Sequence, residues 1–258
     1  MPRLTRMLSP IERRRGYTLI EVLIALLIAL FLLAGLGTMV AGTRTTSTNQ
    51  SSLAQLQDEE RLAMSVLNDV IQTAGYFDTN PTDPTYYWTA ATAFPAAVTT
   101  SGGPGNPSLA AGQILGGTHT SGSSPDTIAV RYGTSGNDGI INCNGGTSTV
   151  PTTYVNFFFV KTTGTTSQLQ CSIDGAAGDA IVLVDNVVNL QIWYGISTVA
   201  GVTNADTYKT ADLMTATDWP NVVSARVILT LNNPLFPQPG QAAYTTFTRV
   251  VVLKSRIL

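Results

Sequence analysis

The chain has few charged residues for its length. Asp, Glu, Lys and Arg make up 12% of its 258 residues, against about 25% in ordinary soluble domains. The basic residues cluster at the start: the first fifteen residues sum to +4 and the rest of the chain to −6. Because no basic patch follows that could track a phosphate backbone, the composition does not suit nucleic-acid binding, and we predict no nucleic-acid partner.

Residues that usually carry catalysis are scarce as well. The one histidine, His119, lies in a Gly/Thr/Ser-rich loop with no acidic partner nearby in the sequence, which favours a solvated loop residue. No Cys–His metal spacing, Gly-x-Ser-x-Gly elbow or phosphate-binding loop occurs. We therefore predict no enzymatic activity, no cofactor and no metal site. A membrane-tethered enzyme or binding protein is kept as a distant alternative.

Cysteine is limited to Cys143 and Cys171. In an exported chain, a single pair is most simply a disulfide, and two unrelated buried thiols are the alternative. A Cys143–Cys171 bridge would close a loop around the apolar segment "NFFFV".

What the chain does have is an apolar run close to its amino terminus. Residues 19–42 contain one ionisable side chain, Glu21. About twenty such residues in a helix cross the hydrocarbon layer of a membrane. The arginines ahead of the run predict a cytoplasmic amino terminus and an outward carboxyl terminus.

Two simple interpretations leave features of this run unexplained. A secretory signal peptide has a shorter apolar region and a small-residue cleavage site, and "VAG" at 40–42 is a mediocre one. A plain signal anchor explains the length and orientation but not Glu21, since a carboxylate within the span costs a few kcal/mol.

A third interpretation accounts for every residue. The stretch "RRRGYTLIEVLIALLIA" resembles the class III leader of type IV pilins and type II secretion pseudopilins, which has a basic leader, Gly, an aromatic residue, Thr-Leu-Ile-Glu and an apolar helix. The resemblance implies that a prepilin peptidase cleaves between Gly16 and Tyr17 and that the new amine of Tyr17 is methylated. Glu21 then becomes the fifth mature residue. A buried carboxylate needs a partner, and the amine of Tyr17, on a neighbour or on the same chain, would supply one and set the register of assembly.

The rest of the chain predicts an α+β, pilin-like fold: a long N-terminal transmembrane and amphipathic helix packed on an antiparallel β-sheet. Leu53, Leu56, Ala63, Leu67, Val70, Ile71 and Ala74 form one helical stripe. The polar stretch 43–52 is either helical or a partly unwound linker. Strands are predicted at 126–132, 153–160, 168–173, 186–195, 222–231 and 244–254. The predicted organisation is leader 1–16, transmembrane half 17–42, periplasmic half 43–75, irregular region 76–125 and head 126–258.

The order of later features resembles the PilW family of minor pilins. The segments that carry this resemblance are "DTIAVRYG", "NDGIINCNG", "QLQCSIDG", "LVDNVVNLQIWYG" and "FTRVVVLKSRIL". The resemblance implies a minor pilin of a priming or tip complex that supports pilus biogenesis, twitching motility and adhesion. Its partners would be other minor pilins, the major pilin and, before assembly, inner-membrane lipid, with the head periplasmic and later on the pilus. A J-type minor pseudopilin of type II secretion is the close alternative.

Calcium sites are poorly supported by the acidic residues. After "WYG" only Asp206 and Asp212 remain as acids, and the "NDGIINCN" stretch has one charged side chain among Asn137, Asp138 and its other asparagines. Calcium sites generally need several carboxylates, so we interpret these residues as turn formers.

Overall fold

The computed structural model describes residues 16–77, 90–98, 107–122, 124–174, 179–199 and 201–256. The chain divides into two compact units at the junction of Ser51 and Ser52. Most of the predicted leader and the aromatic cluster of Tyr86, Tyr87 and Trp88 lie outside the described residues.

A single helix, α1, runs from Leu19 to Gln72. Its 54 residues give a length of about 80 Å at 1.5 Å per residue. The polar stretch 43–52 is helical, although threonine is a weak helix former. Threonine hydroxyls there bond to the carbonyl four residues earlier, as Thr43 does to Met39 at 2.9 Å and Thr48 to Arg44 at 3.0 Å. These bonds satisfy the hydroxyls without interrupting the helix.

The second compact unit contains the last turns of α1, which bury one face. The buried side chains of these turns, with Ala74 just after the helix, are Leu56, Ala63, Met64, Leu67, Val70, Ile71 and Ala74. The structure confirms the predicted stripe at six of its seven positions. The prediction that Leu53 belongs to it is wrong, since 37% of Leu53 is exposed, and buried Met64 was not predicted. Each fully buried aliphatic side chain contributes about 1.5–3 kcal/mol.

Short elements follow α1 before the main sheets begin. They are helix α2 (Ala90–Ala93) and strands β1 (Ala97–Val98), β2 (Ser108–Leu109) and β3 (Leu115–Thr118). The longer strands are β4 (Thr127–Thr134), β5 (Thr152–Thr163), β6 (Thr166–Ile173), β7 (Ile181–Asp185), β8 (Val187–Ile196), β9 (Thr207–Lys209), β10 (Val222–Asn232) and β11 (Tyr244–Val252). Short 3₁₀ turns occur at Ala211–Leu213, Trp219–Asn221 and Lys254–Arg256.

The strands form two larger antiparallel sheets and not the single sheet that the sequence predicted. A five-strand sheet has the order β3–β4–β5–β6–β7, and a four-strand sheet has the order β11–β10–β8–β9. β1 pairs separately with β2. The chain passes from the first sheet to the second at Asn186, whose φ of 62° interrupts the apolar run "IVLVDNVVNL". A residue in the left-handed region ends strand β7 there, so one apolar segment supplies strands to two sheets.

Both sheets contribute to the main hydrophobic core that α1 covers. This core contains Leu67 and Ile71 of the helix, Phe158 of the five-strand sheet and Leu229 of the four-strand sheet. The five-strand sheet also buries its other face, where Phe157 and Phe159 stack with ring centroids 5.3 Å apart. Burial of both faces explains why β4 has no exposed residue along its length.

The end of α1 is fixed to strand β4. Gly75 adopts a φ of +77° after the helix, and its N–H donates to the carbonyl of Arg131 at 2.8 Å. Gly133 then donates to the carbonyl of Tyr76 at 2.6 Å. This reversal fixes the end of the helix against the five-strand sheet.

Candidate functional site

The segment in front of α1 lies outside the helix and caps it. Gly16, Tyr17 and Thr18 precede the first helical residue, and 81% of the Tyr17 side chain is exposed. The carbonyl of Thr18 accepts from the N–H of Glu21 at 3.0 Å and from Val22 at 3.3 Å. Its hydroxyl also accepts from the N–H of Glu21, at 3.4 Å. Thr18 therefore occupies the N-cap position, as threonine often does.

Glu21 lies in the first turn of α1, with its side chain exposed. A carboxylate is favourable near a helix amino terminus because of the helix dipole. Within the part of the chain that the structure describes, however, Glu21 has no ion-pair partner. A carboxylate placed in hydrocarbon without a partner is costly.

The helix surface that follows is apolar on all sides. Exposed side chains between Leu19 and Val40 include Leu23, Leu27 and Phe31, the last with 81% exposed. α1 is long and apolar enough to cross a membrane, and its most apolar window is not buried by the rest of the chain. Such a surface can lie in lipid or pack against other apolar helices.

Of the predicted site residues, the structure brings together Gly16, Tyr17 and Glu21 at the start of α1 and holds Cys143 and Cys171 together in the head. The predicted Cys143–Cys171 disulfide is confirmed, with the two Cα atoms 6.4 Å apart. Cys143 lies in the loop between β4 and β5, and Cys171 lies on β6. The N–H of Cys143 also donates to the side-chain oxygen of Asn156 on β5, at 2.8 Å. The bridge therefore fixes this long loop across two strands.

The residues considered as calcium ligands hold their own loops. Asp138 accepts from the hydroxyl of Thr134 at 2.6 Å and from the backbone N–H groups of Ser135 and Ile140. Asn142 accepts from the N–H groups of Asn144 and Gly146 in the same way. In the later loop, Asp206 accepts from the N–H and hydroxyl of Thr198, and these bonds lower the pKa of its carboxyl. Each of these side chains acts as a turn former.

The interpretation of His119 as a loop residue without an acidic partner is wrong. Nδ1 of His119 lies 2.7 Å from Oδ1 of Asp126, and the carboxylate is buried. The register explains the contact: Thr118 of β3 pairs with Thr127 of β4, so the residues just outside that pair face each other. The pairing was missed because β3 ("LGGT") contains two glycines and was not recognised as a strand.

The Asp126 carboxylate also connects the two sheets. Its Oδ2 accepts from the N–H of Ile192 on β8 at 2.8 Å, and its own N–H donates to the carbonyl of Leu190 at 2.7 Å. Burial raises the pKa of Asp126, whereas the bonds from Ile192 and His119 oppose the shift. Two hydrogen bonds at Asp126 therefore join the start of β4 to the four-strand sheet.

Arg131 is a second buried polar residue that sequence reasoning missed. Its side chain is 1% exposed, and its guanidinium donates to the carbonyls of Pro95, Ala110 and Gln113. The guanidinium carbon lies 5.6 Å from the centre of the Phe94 ring. Burial lowers the pKa of Arg131 to about 10. The only sequence signal is a charged residue within the apolar strand "DTIAVRY", and that signal does not identify its partners.

Comparison with known families agrees with both parts of this structure. Residues 156–252 match the family model described as type IV pilus-assembly protein W, and residues 12–37 match the prokaryotic N-terminal methylation motif. No curated protein and no solved structure matches the chain. The chain is therefore similar to type IV pilin-like proteins, with a methylation motif at the start of an apolar helix whose last turns pack on antiparallel sheets.

Within that class, the two matches support a PilW-type minor pilin that takes part in pilus assembly. The class III leader implies processing by prepilin peptidase, and the apolar helix behind it suits a pilin anchored in the inner membrane. The matched families point to a structural protein, not to an enzyme.

Proposed function

We propose that this chain joins a membrane-anchored complex of minor pilins that primes pilus assembly and stays near the pilus tip. The observation that carries the proposal is the combination, in one chain, of a methylation motif at residues 12–37, an exposed apolar helix and a head matching pilus-assembly protein W. A priming subunit needs each of these features: a segment that anchors it in the membrane before assembly, a helix that packs in the filament core and a head that contacts other heads.

Processing is the first step of the proposed function. Cleavage after Gly16 removes residues 1–16 and leaves Tyr17 as the methylated amino terminus. Tyr17 is accessible and α1 begins only at Leu19, so the bond to be cut lies outside the helix, where a peptidase can reach it. Mass spectrometry of the mature amino terminus tests this step: a methylated Tyr17 is expected, and a start near Thr43 would contradict it.

Assembly is the second step. In the membrane, residues 17–42 hold the subunit with its head on the periplasmic side. During assembly, Glu21 takes the amine of a Tyr17 as its partner, which fixes the stagger between neighbouring helices. The head then contacts the other minor pilins and the major pilin, and pili supported in this way serve twitching motility and adhesion.

Deletion of the gene tests the function as a whole. Surface pili and twitching should fall while the major pilin stays in the membrane, because priming and not pilin supply is lost. Secretion of a type II substrate should be unaffected; the match of the head to a pilus-assembly protein favours this outcome over a J-type pseudopilin. Normal piliation in the deletion strain would contradict the priming role, and a secretion defect would favour the alternative of a J-type minor pseudopilin.

A further inference from the structure

Strand β11 forms one edge of the four-strand sheet. It lies outside β10 in the strand order and pairs with no other strand that the structure describes. All nine of its residues pair with β10 without a register shift. At about 3.3 Å per residue, the strand presents roughly 30 Å of straight edge with unpaired backbone groups.

The side chains beside this edge are accessible and partly apolar. Tyr244, Val250 and Val252 share the outer face of the sheet and are 55%, 49% and 41% exposed. Next to them on that face, Arg226 of β10 is the register partner of both Val250 and Trp193, which is 37% exposed. A strand added beside β11 would gain main-chain hydrogen bonds together with apolar contacts at alternate positions.

The carboxyl-terminal segment that contains β11 differs in the sign of its charge from the rest of the chain. Residues 244–258 contain Arg249, Lys254 and Arg256 and no acidic side chain, a side-chain charge of +3. Residues 16–243 contain six basic and fifteen acidic side chains, a charge of −9. Arg249 and Lys254 are both exposed. A like-charged strand is therefore repelled and an acidic strand is attracted.

The positive charge distinguishes between two possible strands that could bind beside β11. In a second copy of the chain, β11 would lie antiparallel to its own equivalent, and centring the two strands on one another would place Arg249 near Arg249 of the copy. Edge strands commonly carry charges that prevent such self-association. A different subunit with an acidic extended segment meets no such repulsion.

We infer that β11 is a docking edge for an acidic, extended β-strand of a different pilin-class subunit, an inference that rests on the proposed role in a minor-pilin complex. The added strand continues the four-strand sheet, with apolar side chains against Val250 and Val252 and acidic side chains near Arg249 and Lys254.

Site-specific photo-crosslinking in the full-length chain tests this inference. A benzophenone amino acid at Val250, expressed at native level in piliated cells, should crosslink to an acidic segment of another pilin-class subunit, identified by mass spectrometry. The same probe at Leu213, which is 62% exposed on a 3₁₀ turn outside β11, should not give that crosslink. Crosslinking at Val250 only to a second copy, or to no subunit, would overturn the inference.

Charge exchange provides the second arm of the test. Arg249→Glu combined with Lys254→Glu should lower the crosslink yield from Val250 at least tenfold, whereas Arg249→Lys with Lys254→Arg should leave it unchanged. Replacing the acidic residues of the crosslinked segment by lysine should restore the crosslink yield of the chain that carries Arg249→Glu and Lys254→Glu. Both edge variants must still form the Cys143–Cys171 disulfide, which serves as the control for a folded head. A loss of crosslink yield that the lysine replacements do not restore would contradict the proposed charge pairing.

Failure of this inference is distinguishable from failure of the proposed function. A missing crosslink in cells whose piliation still depends on the gene overturns the docking edge alone. Normal piliation in the deletion strain overturns the proposed function, whatever the crosslink shows.

Discussion

The imidazole of His119 contacts the buried carboxylate of Asp126 at 2.7 Å, at the point where the two sheets of the head meet. The side chain of His119 is 17% exposed and that of Asp126 is 1% exposed, so the histidine lies between the carboxylate and solvent. The other carboxylate oxygen is bonded to the N–H of Ile192 across the sheet junction. The contact between His119 and Asp126 therefore stabilises the junction between the two sheets.

His119→Ala should destabilise the head in a pH-dependent manner. Asp126 has a raised pKa, so its contribution to stability is greatest in acid, below the ordinary carboxyl pKa, and falls as pH rises. Loss of the His119 bond raises this pKa further, and the buried ionised carboxylate then keeps only the N–H of Ile192 as its partner at neutral pH. We expect a loss of about 1–2 kcal/mol at pH 7 and a smaller loss at pH 4, in denaturant titrations of the full chain in detergent.

Asp126→Asn provides the matched background for this measurement. The remaining titratable groups near the pair are Asp212, whose charge raises the pKa of Asp126, and buried Tyr194. In the Asp126→Asn chain, the effect of His119→Ala should depend less on pH, because the buried carboxylate is gone and only Asp212 still interacts with the charge of His119. An equal loss at both pH values in the parent chain would show that the pair has only a packing role.

Arg131→Met should release the region around residues 95–113 from strand β4. Methionine fills part of the space over Phe94 but leaves the carbonyls of Pro95, Ala110 and Gln113 without their donor. Loss of a charged donor to these partly buried carbonyls should cost about 1.5–3 kcal/mol in unfolding free energy. Limited proteolysis should show earlier cleavage in this region than in the parent chain. An unchanged cleavage pattern and midpoint would indicate that the carbonyls find other donors.

Removing the disulfide should lower stability by an amount set mainly by loop length. Cys143 and Cys171 are separated by 28 positions in the sequence, for which the chain-entropy relation gives about 3–4 kcal/mol. Cys143→Ala with Cys171→Ala should therefore shift the denaturant midpoint of the full chain. Reduction of the parent chain should give a similar shift, since it removes the same constraint. A much smaller effect of both treatments would mean that the loop is already fixed by contacts such as that of Cys143 with Asn156.

The sequence predicted the features that depend on local periodicity. The stripe of Leu67, Val70 and Ile71 follows from spacings of three and four, and β4, β5, β6, β8, β10 and β11 follow from runs of β-forming residues. β7 and β9 were not predicted. The sequence did not predict the division into two sheets, because Asn186 breaks an apolar run that looks continuous. It also missed the contacts of His119 and Arg131, since partners such as Ile192 or Pro95 come from distant elements that only the folded topology brings together.

Gly117 should tolerate no side chain. A Cβ at Gly117 would collide with the hydroxyl of Tyr194 and with the backbone carbonyl of Thr127, and the carbonyl cannot move without separating β3 from β4. Gly117→Ala should cost about 2–3 kcal/mol in unfolding free energy. Gly133→Ala is the matched control on β4, because a Cβ there would meet Phe77 at an ordinary 3.4 Å. Equal effects of the two substitutions would contradict this account of the β3–β4 pairing.

Glu21 should be required for assembly and not for membrane insertion. Its carboxylate is exposed at the start of α1 and has no ion-pair partner in the described part of the chain, so removing it leaves the fold of the subunit unchanged. Glu21→Val makes the segment more apolar, and insertion should be retained or improved. The pair with the Tyr17 amine would be lost, and we expect at least a tenfold drop of this subunit in purified pili relative to its membrane pool.

Glu21→Gln separates charge from shape in this experiment. Glutamine has nearly the size of glutamate and can still accept a hydrogen bond, but it cannot form the ion pair with the Tyr17 amine. If charge sets the stagger between helices, Glu21→Gln should be depleted from pili almost as strongly as Glu21→Val. Incorporation of Glu21→Gln at the parent level would show that a hydrogen bond suffices. Normal recovery of both variants in pili would remove Glu21 from the assembly contact.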